Sequence, residues 1–459
     1  MIAPQQHIIR RQLLEVEMVG TEREAAQWQR QLATYAKDVL PSQLSNVLDK
    51  LAPHGQVLHL DRLQLEVNLP LGEADWEAFL TKEIIKGLLR LGMIEQQSGL
   101  LTDDMEADAA AMTREQSVME HFLYFLENGR LPWNASEQLR AGLEMAVMEA
   151  VQLHPGQGGF WIKLKALLSN NEVARRRLAL QFSEENLLIL AKSLYPAGHV
   201  GLLGSLRQMG ELASRSGLGR DDWEAVFWSF VFEEEMEVSG LPGKVAAELA
   251  VAHTWVKEKI KEVAGALGIE LQEASAAAVE LSKTTEETAT VGDVMEGIYL
   301  ENAGLVLVAP FLPGFFQELG LAEGNKLIKP AQALHLLQYL ATGQEGAAEH
   351  LLPLNKLLCG LPIGEPLRKR IRFTKKEKEE SRQLLESVVE HWAALKNTSP
   401  EGLQATFLQR KGKLSKGEWG WQLQVEQHPV DVLLEHLPWG IGVVKLPWME
   451  VVLRVEWTL

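Results

Sequence analysis

The closing stretch of the chain reads Leu437-Pro438-Trp439-Gly440, then, nine residues on, Leu446-Pro447-Trp448-Met449, and runs out through Leu453-Arg454-Val455-Glu456 to Trp457. Proline fixes its own φ and pushes the residue before it out of the helical region, so each Leu-Pro-Trp is a sharp, extended corner. Six of the thirteen tryptophans lie beyond residue 390, and a buried indole brings an N–H that needs a partner. Trp439, Trp448 and Trp457, with Pro438 and Pro447, are therefore candidate structural anchors of a packed terminal β-element. Upstream, Trp419, Trp421, Leu423 and Val425 alternate with Gly420, Gln422 and Gln424, the period of a strand. Residues 413–459 are read as a β-rich C-terminal element.

The other end shows the same alternation. Leu14, Val16 and Met18 alternate with glutamates, and Leu63, Leu65, Val67 and Leu69 alternate with polar residues. Between these strands, Thr21 with Glu24 forms a helix-start signature and Pro41 opens a further short helix; after the second strand, Trp76 to Leu91 fits a helix ending at Gly92. Residues 1–95 are thus an N-terminal αβ unit, followed by an acidic, alanine-rich spacer from Thr102 to Ala111. From 113 to 262 the apolar residues repeat at helical spacing, with start signals at Thr113 with Gln116 and at Asp221 with Glu224.

Residues 263–295 shift to Ala, Thr and Glu and read as a linker. A second helical region spans 296–412, where Thr374 with Glu377 starts an amphipathic helix through Leu384, Leu385, Val388 and Trp392, and Ser399-Pro400 starts another. The fold class is α+β, predominantly α-helical, with a helical middle and β-rich ends placed so that their strands can share a sheet. His121 to Gly129 matches His335 to Gly343, and both read as an apolar helix stopped by glycine. Two copies do not make a solenoid.

Composition bounds the function. With 46% hydrophobic and 23% charged residues the chain is an ordinary globular one, and a single cysteine, Cys359, excludes a disulfide framework or a multi-cysteine metal site. Met1 to Arg11 has no apolar segment behind its basic residues, and the longest apolar stretch, Ala303 to Phe316, is broken by Pro310 and Pro313. Neither reads as a secretory signal or a membrane span, which points to a cytoplasmic protein without membrane insertion. The net charge of −17 argues against nucleic-acid binding. Residues 365–416 nevertheless carry +6, leaving −23 on the remainder. Within that stretch Arg368, Lys369, Arg370, Arg372, Lys375 and Lys376 form a candidate partner-binding run, to be set against a merely solvated face or compensation by the protein's own acidic residues.

Catalytic signatures are missing. Gly240-Leu241-Pro242-Gly243-Lys244 runs into Val245, without the hydroxyl of a phosphate loop. Cys359 ends a helix-like stretch and reads as a buried, inert thiol. Asp431, Glu435 and His436 could sit near one another, but the plainer reading is a polar helix face with Val432, Leu433 and Leu437 turned inward. No catalytic residue, cofactor or metal is expected.

Several C-terminal segments, taken as a series, resemble the tape-measure proteins of contractile injection systems, which are phage-tail-like particles that drive an inner tube through a sheath. They are Ala303-Gly304-Leu305-Val306-Leu307, Pro310-Phe311-Leu312-Pro313, His335 to Leu340, Asn355 to Pro362, His391-Trp392, Phe407 to Arg410 and the two Leu-Pro-Trp corners. His7 to Arg10 and Leu60 to Leu63 also fit, while the helical middle matches loosely. The resemblance implies a non-enzymatic role in tube length and assembly, with inner-tube and baseplate proteins as partners; self-association in several copies and incorporation in the particle stay open beside it. A ruler must be long, however. As one helix the chain would span about 690 Å at ~1.5 Å per residue, yet eighteen prolines and thirty-seven glycines forbid a single helix. A globular assembly chaperone or adaptor that does not measure length is the alternative.

Overall fold

The computed structural model describes residues 7, 9, 21–51, 56–60, 76–96, 109–153, 158–196, 200–233, 238–272, 297–369, 371–417 and 420–457. The chain divides into two compact units, Met1–Met119 and Glu120–Leu459, at a point inside the helix Arg114–Asn128. The strands expected at Leu14 to Met18 and at Leu63 to Leu69 lie outside the described residues.

In the first unit Thr21 caps the helix Glu22–Thr34 reciprocally with Glu24. Pro41 does not open a new helix. The run continues through a π-turn, Tyr35–Val39, into Leu40–Leu51, with the Leu40 N–H reaching back to the Tyr35 carbonyl. Such a widened turn re-registers the ladder ahead of a residue that has no N–H to donate. The next helix, Trp76–Gln96, runs past Gly92, a cost of about 1 kcal/mol that a long helix tolerates. The end of the expected spacer is strand: β1 (Gln56–Leu60) pairs antiparallel with β2 (Ala109–Thr113). The core is small, Leu32, Tyr35, Leu40 and Leu80, edged by Trp28 and Trp76 with ring centroids 5.2 Å apart.

The second unit opens with helices. Arg114–Asn128 and Pro330–Thr342 are each stopped by a left-handed glycine, Gly129 at φ 71° and Gly343 at φ 70°, the conformation a side chain resists. The helix Glu172–Gln181 packs on Arg220–Val231, which packs on Leu241–Ala252, and Leu202–Ser216 lies on Lys257–Ala266. The cap of Arg220–Val231 is Gly219, two residues before the expected Asp221, because the Asp222 carboxylate accepts the Gly219 N–H at 2.8 Å. The helix Lys257–Ala266 covers the first residues of the stretch read as a linker, and Ile269 beyond it is buried. Residues 273–295 lie outside the described set.

The C-terminal part holds the largest core. β3 (Ile298–Leu300) leads into a 3-10 helix, Ala303–Phe311, whose residues 303 to 309 are all buried. The short hairpin β4 (Ala322–Glu323) and β5 (Lys326–Leu327) precedes the helices Pro330–Thr342, Pro353–Leu358 and Lys375–His391. β6 (Gly412–Gly417) and β7 (Gly420–Val425) form a hairpin, and β8 (Val443–Val444) and β9 (Leu453–Glu456) close the sheet. The strand order is β3-β6-β7-β9-β8, antiparallel except for β7 with β9. Leu414, Leu423 and Leu453 face the core, while Gln424 and Glu456 face water. The fold is predominantly helical with a small mixed sheet near the C-terminus, in line with the class read from the sequence. The N-terminal strands read as able to share a sheet with the C-terminal ones lie outside the described residues; among the described strands β1 pairs with β2, and β3 occupies the edge of the C-terminal sheet.

Candidate functional site

The most concentrated chemistry is a buried charge cluster. Glu349 precedes the helix Pro353–Leu358, which carries Lys356, and Arg177 lies on Glu172–Gln181; all three are sealed from solvent. Glu349 Oε1 accepts from Arg177 Nε at 3.0 Å and from Lys356 Nζ at 2.7 Å. Arg177 also donates to the carbonyls of Leu126 and Gly364, and Lys356 to that of Ile363 at 2.6 Å. The Leu126 carbonyl belongs to the last turn of its helix, where the dipole welcomes a cation. Burial pushes the Lys356 ammonium down in pKa, against the pull of Glu349. Gly129 closes the site from above, since a Cβ there would lie 2.5 Å from Glu349 Oε1.

Gln181 extends this clasp. Its side-chain oxygen accepts the Glu349 N–H at 2.9 Å, and its nitrogen donates to the Leu367 carbonyl at 2.6 Å. The Lys369 N–H reaches the Leu180 carbonyl, and Lys369 Nζ meets Glu144 at 2.6 Å. Burial raises the Glu144 pKa, but hydrogen bonds from Lys369, Ser183 and Asn186 outweigh it and hold the carboxylate below its usual range. His350 Nε2 contacts the Arg140 carbonyl at 2.7 Å. Segment 345–369 is therefore stitched to helices some 170 to 225 residues earlier in the chain.

The basic run proves divided. Lys369 is engaged with Glu144, Lys376 pairs with Glu318 at 3.1 Å, and Arg368 is half-buried, its carbonyl held by His335 at 2.8 Å. Arg372 and Lys375 are exposed, and Arg370 lies outside the described residues. Part of the run thus meets the protein's own carboxylates.

Asp431 was expected on a polar outer face, but it is buried, while Val432 is 47% exposed. The element Pro429–His436 is a 3-10 helix, whose three residues per turn shift the face expected from an α-helical period. Asp431 Oδ2 accepts from Arg410 Nη1 at 3.1 Å and from Trp457 Nε1 at 3.0 Å, while Glu435 and His436 are exposed. Cys359 is buried, which pushes its thiol far above the ordinary range. Among the described residues no cluster of three or more His, Cys, Asp or Glu could hold a metal ion, and no helix is long and apolar enough to cross a membrane.

The tryptophan corners hold the core shut. Trp439 Nε1 donates to the Leu307 carbonyl at 3.0 Å and its ring meets Phe311 edge-on. Trp448 Nε1 donates to the Leu358 carbonyl at 2.8 Å beside Phe316. Pro438 and Pro447 stay exposed at the two bends. The arrangement suits mechanical joining of distant segments.

The family model for the contractile injection system tape measure protein matches residues 6–457. No curated protein matches, and no solved structure matches.

Proposed function

Because the chain belongs to the contractile injection system tape measure family, we propose that it controls the length and assembly of the inner tube of a phage-tail-like particle, without catalysis, in contact with inner-tube and baseplate proteins. The family match along nearly the whole chain carries this reading. Arg372 and Lys375, exposed at the start of the helix Lys375–His391, are members of the basic run that, among the described residues, are placed to meet an acidic surface on such a partner. Association between copies belongs to the same reading, and the finished particle is the protein's place of work.

A second reading is favoured by the clasp around Glu349. Residues drawn from 126 to 367 close on one buried carboxylate or on the two cations it holds, so stretching that region along a tube would leave charges unpaired in the core. The unit Glu120–Leu459 then acts folded, as an assembly chaperone or adaptor, and measures nothing. Deleting and, separately, duplicating residues 273–295 in a producing cell, with particle lengths read by negative-stain electron microscopy, separates the two. Lengths that shift both ways support the ruler; unchanged lengths at normal yield, with particles lost when the whole protein is removed, support the assembly factor.

A further inference from the structure

One backbone position departs from the ordinary rule. Lys396, at φ 51° and ψ −110°, is the one residue other than glycine with a positive φ among the described residues. It is the first central residue of a tight turn, Leu395 to Thr398, closed by the Thr398 N–H on the Leu395 carbonyl at 3.1 Å. These angles are those of a type II′ turn, whose first central position suits glycine because a Cβ there crowds the backbone.

The turn is held from both sides. Before it, Trp392 is fully buried, its ring centroid 4.8 Å from that of Phe407 and its Nε1 donating to the Leu433 carbonyl at 3.1 Å, and Leu395 is buried in the same core. After it, the Thr398 hydroxyl donates to the Leu395 carbonyl at 2.7 Å, and Ser399 caps the helix Pro400–Leu403 by accepting the Gly402 N–H at 3.1 Å. A sparsely populated conformation persists where its surroundings over-determine it, and such strain gathers at positions with a function.

The lysine side chain adds nothing to that framework. It is exposed, and among the described residues it makes no hydrogen bond or ion pair. Other lysines between 365 and 416 meet the protein's own carboxylates: Lys369 on Glu144, Lys376 on Glu318, Lys378 on Glu345 and Lys411 on Glu137. Glycine at 396 would relieve the turn, so the lysine forgoes stability for a charge that the fold does not use.

We propose that Lys396 is a docking residue for an acidic surface on another subunit of the particle, a contact that rests on the assembly role given above. The held turn fixes where the cation leaves the surface, which lowers the ordering cost of binding. The occupant is a different subunit, because copies of a chain at −17 repel one another as wholes. The contact is separate from Arg372 and Lys375. Lys396 lies beyond the far end of the 17-residue helix Lys375–His391, which is about 25 Å long at ~1.5 Å per residue.

Three substitutions test this. In the purified full chain, Lys396→Gly frees the turn and raises the folding equilibrium constant roughly fivefold, read as a higher urea midpoint at unchanged slope. In a producing cell that lacks the native copy, the same variant at equal protein level lowers particle yield about tenfold, the loss of one anchoring contact. Lys396→Arg keeps both charge and strain and leaves both readouts near native, while Lys396→Glu keeps the strain and lowers the yield further. A more stable Lys396→Gly protein with native particle yield overturns the docking role, and no gain in stability overturns the strain. Removing the whole protein separates the two readings. Particles lost without the protein but normal with Lys396→Gly leave the assembly role standing, whereas normal particles in both cases sink the two together. Sedimentation of the purified protein that differs between native and Lys396→Glu places the acidic surface on a second copy and overturns the different subunit.

Discussion

Between Leu202 and Ala266 the helices meet through apolar side chains, and the ion pairs Glu211 with Arg215 and Glu258 with Lys261 lie in solvent. Between Ile298 and Trp457 polar groups are carried inside: Asn302 bonds Gln338 and Asn355 at 2.8 and 2.7 Å, Asp431 holds Arg410, and Glu349 holds Lys356. Apolar packing tolerates small slips, whereas a buried charge accepts only the arrangement that pairs it. The clasp extends that second regime backward to Arg177 and Gln181. The helices after residue 200 lack such a tie among their described residues, and they carry exposed Leu203, Val251 and Trp255. The chain thus joins a region specified mainly by apolar burial to one specified by paired buried charges.

The contrast is broken most severely at its centre. Glu349→Ala strands Arg177 and Lys356 in the interior and should cost about 3–5 kcal/mol in urea unfolding. His350 offers a reversible version. Burial drives its pKa from 6.5 down to about 4, the charges of Arg140 and Lys369 adding to the effect and the bond to the Arg140 carbonyl opposing it. The unfolded chain binds this proton below its ordinary pKa while the folded chain does not, so stability falls as pH drops through that window. The full effect, reached below the folded value, is about 3 kcal/mol. Urea titrations at pH 7, 6 and 5 should show that slope in the native protein and a shallower one in His350→Gln.

Gly304→Ala tests packing without charge. Its Cβ would lie 1.7 Å from the Phe407 carbonyl oxygen, so two buried segments must separate, and a loss of about 1–3 kcal/mol is expected from thermal or urea unfolding. At the other extreme, Trp255 is 73% exposed, and Trp255→Ser should change stability by less than about 0.5 kcal/mol in the same assay. A large loss there would show that the helical region depends on its surface in a way the contrast does not allow.

Short-range physics was readable in the sequence. The caps at Thr21 and Thr374 are observed because a capping box spans only four residues. The alternation through Leu423 and Val425 is β7, and the indoles of Trp439, Trp448 and Trp457 each found the partner that burial demands. The clasp was not readable in the same way, because Arg177 and Glu349 are 172 residues apart. A faint signal existed: Arg177 and Gln181 share the face of Ala174 and Leu178, all buried. Polar residues at apolar helical positions call for a buried partner. Asp431 is buried where an α-helical period puts it outside, because the element that carries it is a 3-10 helix. The first-unit strand pair escaped because β1 and β2 are far apart in sequence and β2 is mostly alanine, which has little preference for strands.

Site-resolved amide hydrogen exchange on the full chain tests the central claim most directly, since it ranks local openings against global unfolding. The clasp predicts that helix Glu172–Gln181, the buried backbone N–H groups of 349–367 and strands β7 and β9 share the highest protection, while Leu241–Ala252 and Lys257–Ala266 open at lower free energy. Early exchange of Glu349 and Leu367, at or before the helices after residue 200, would contradict it.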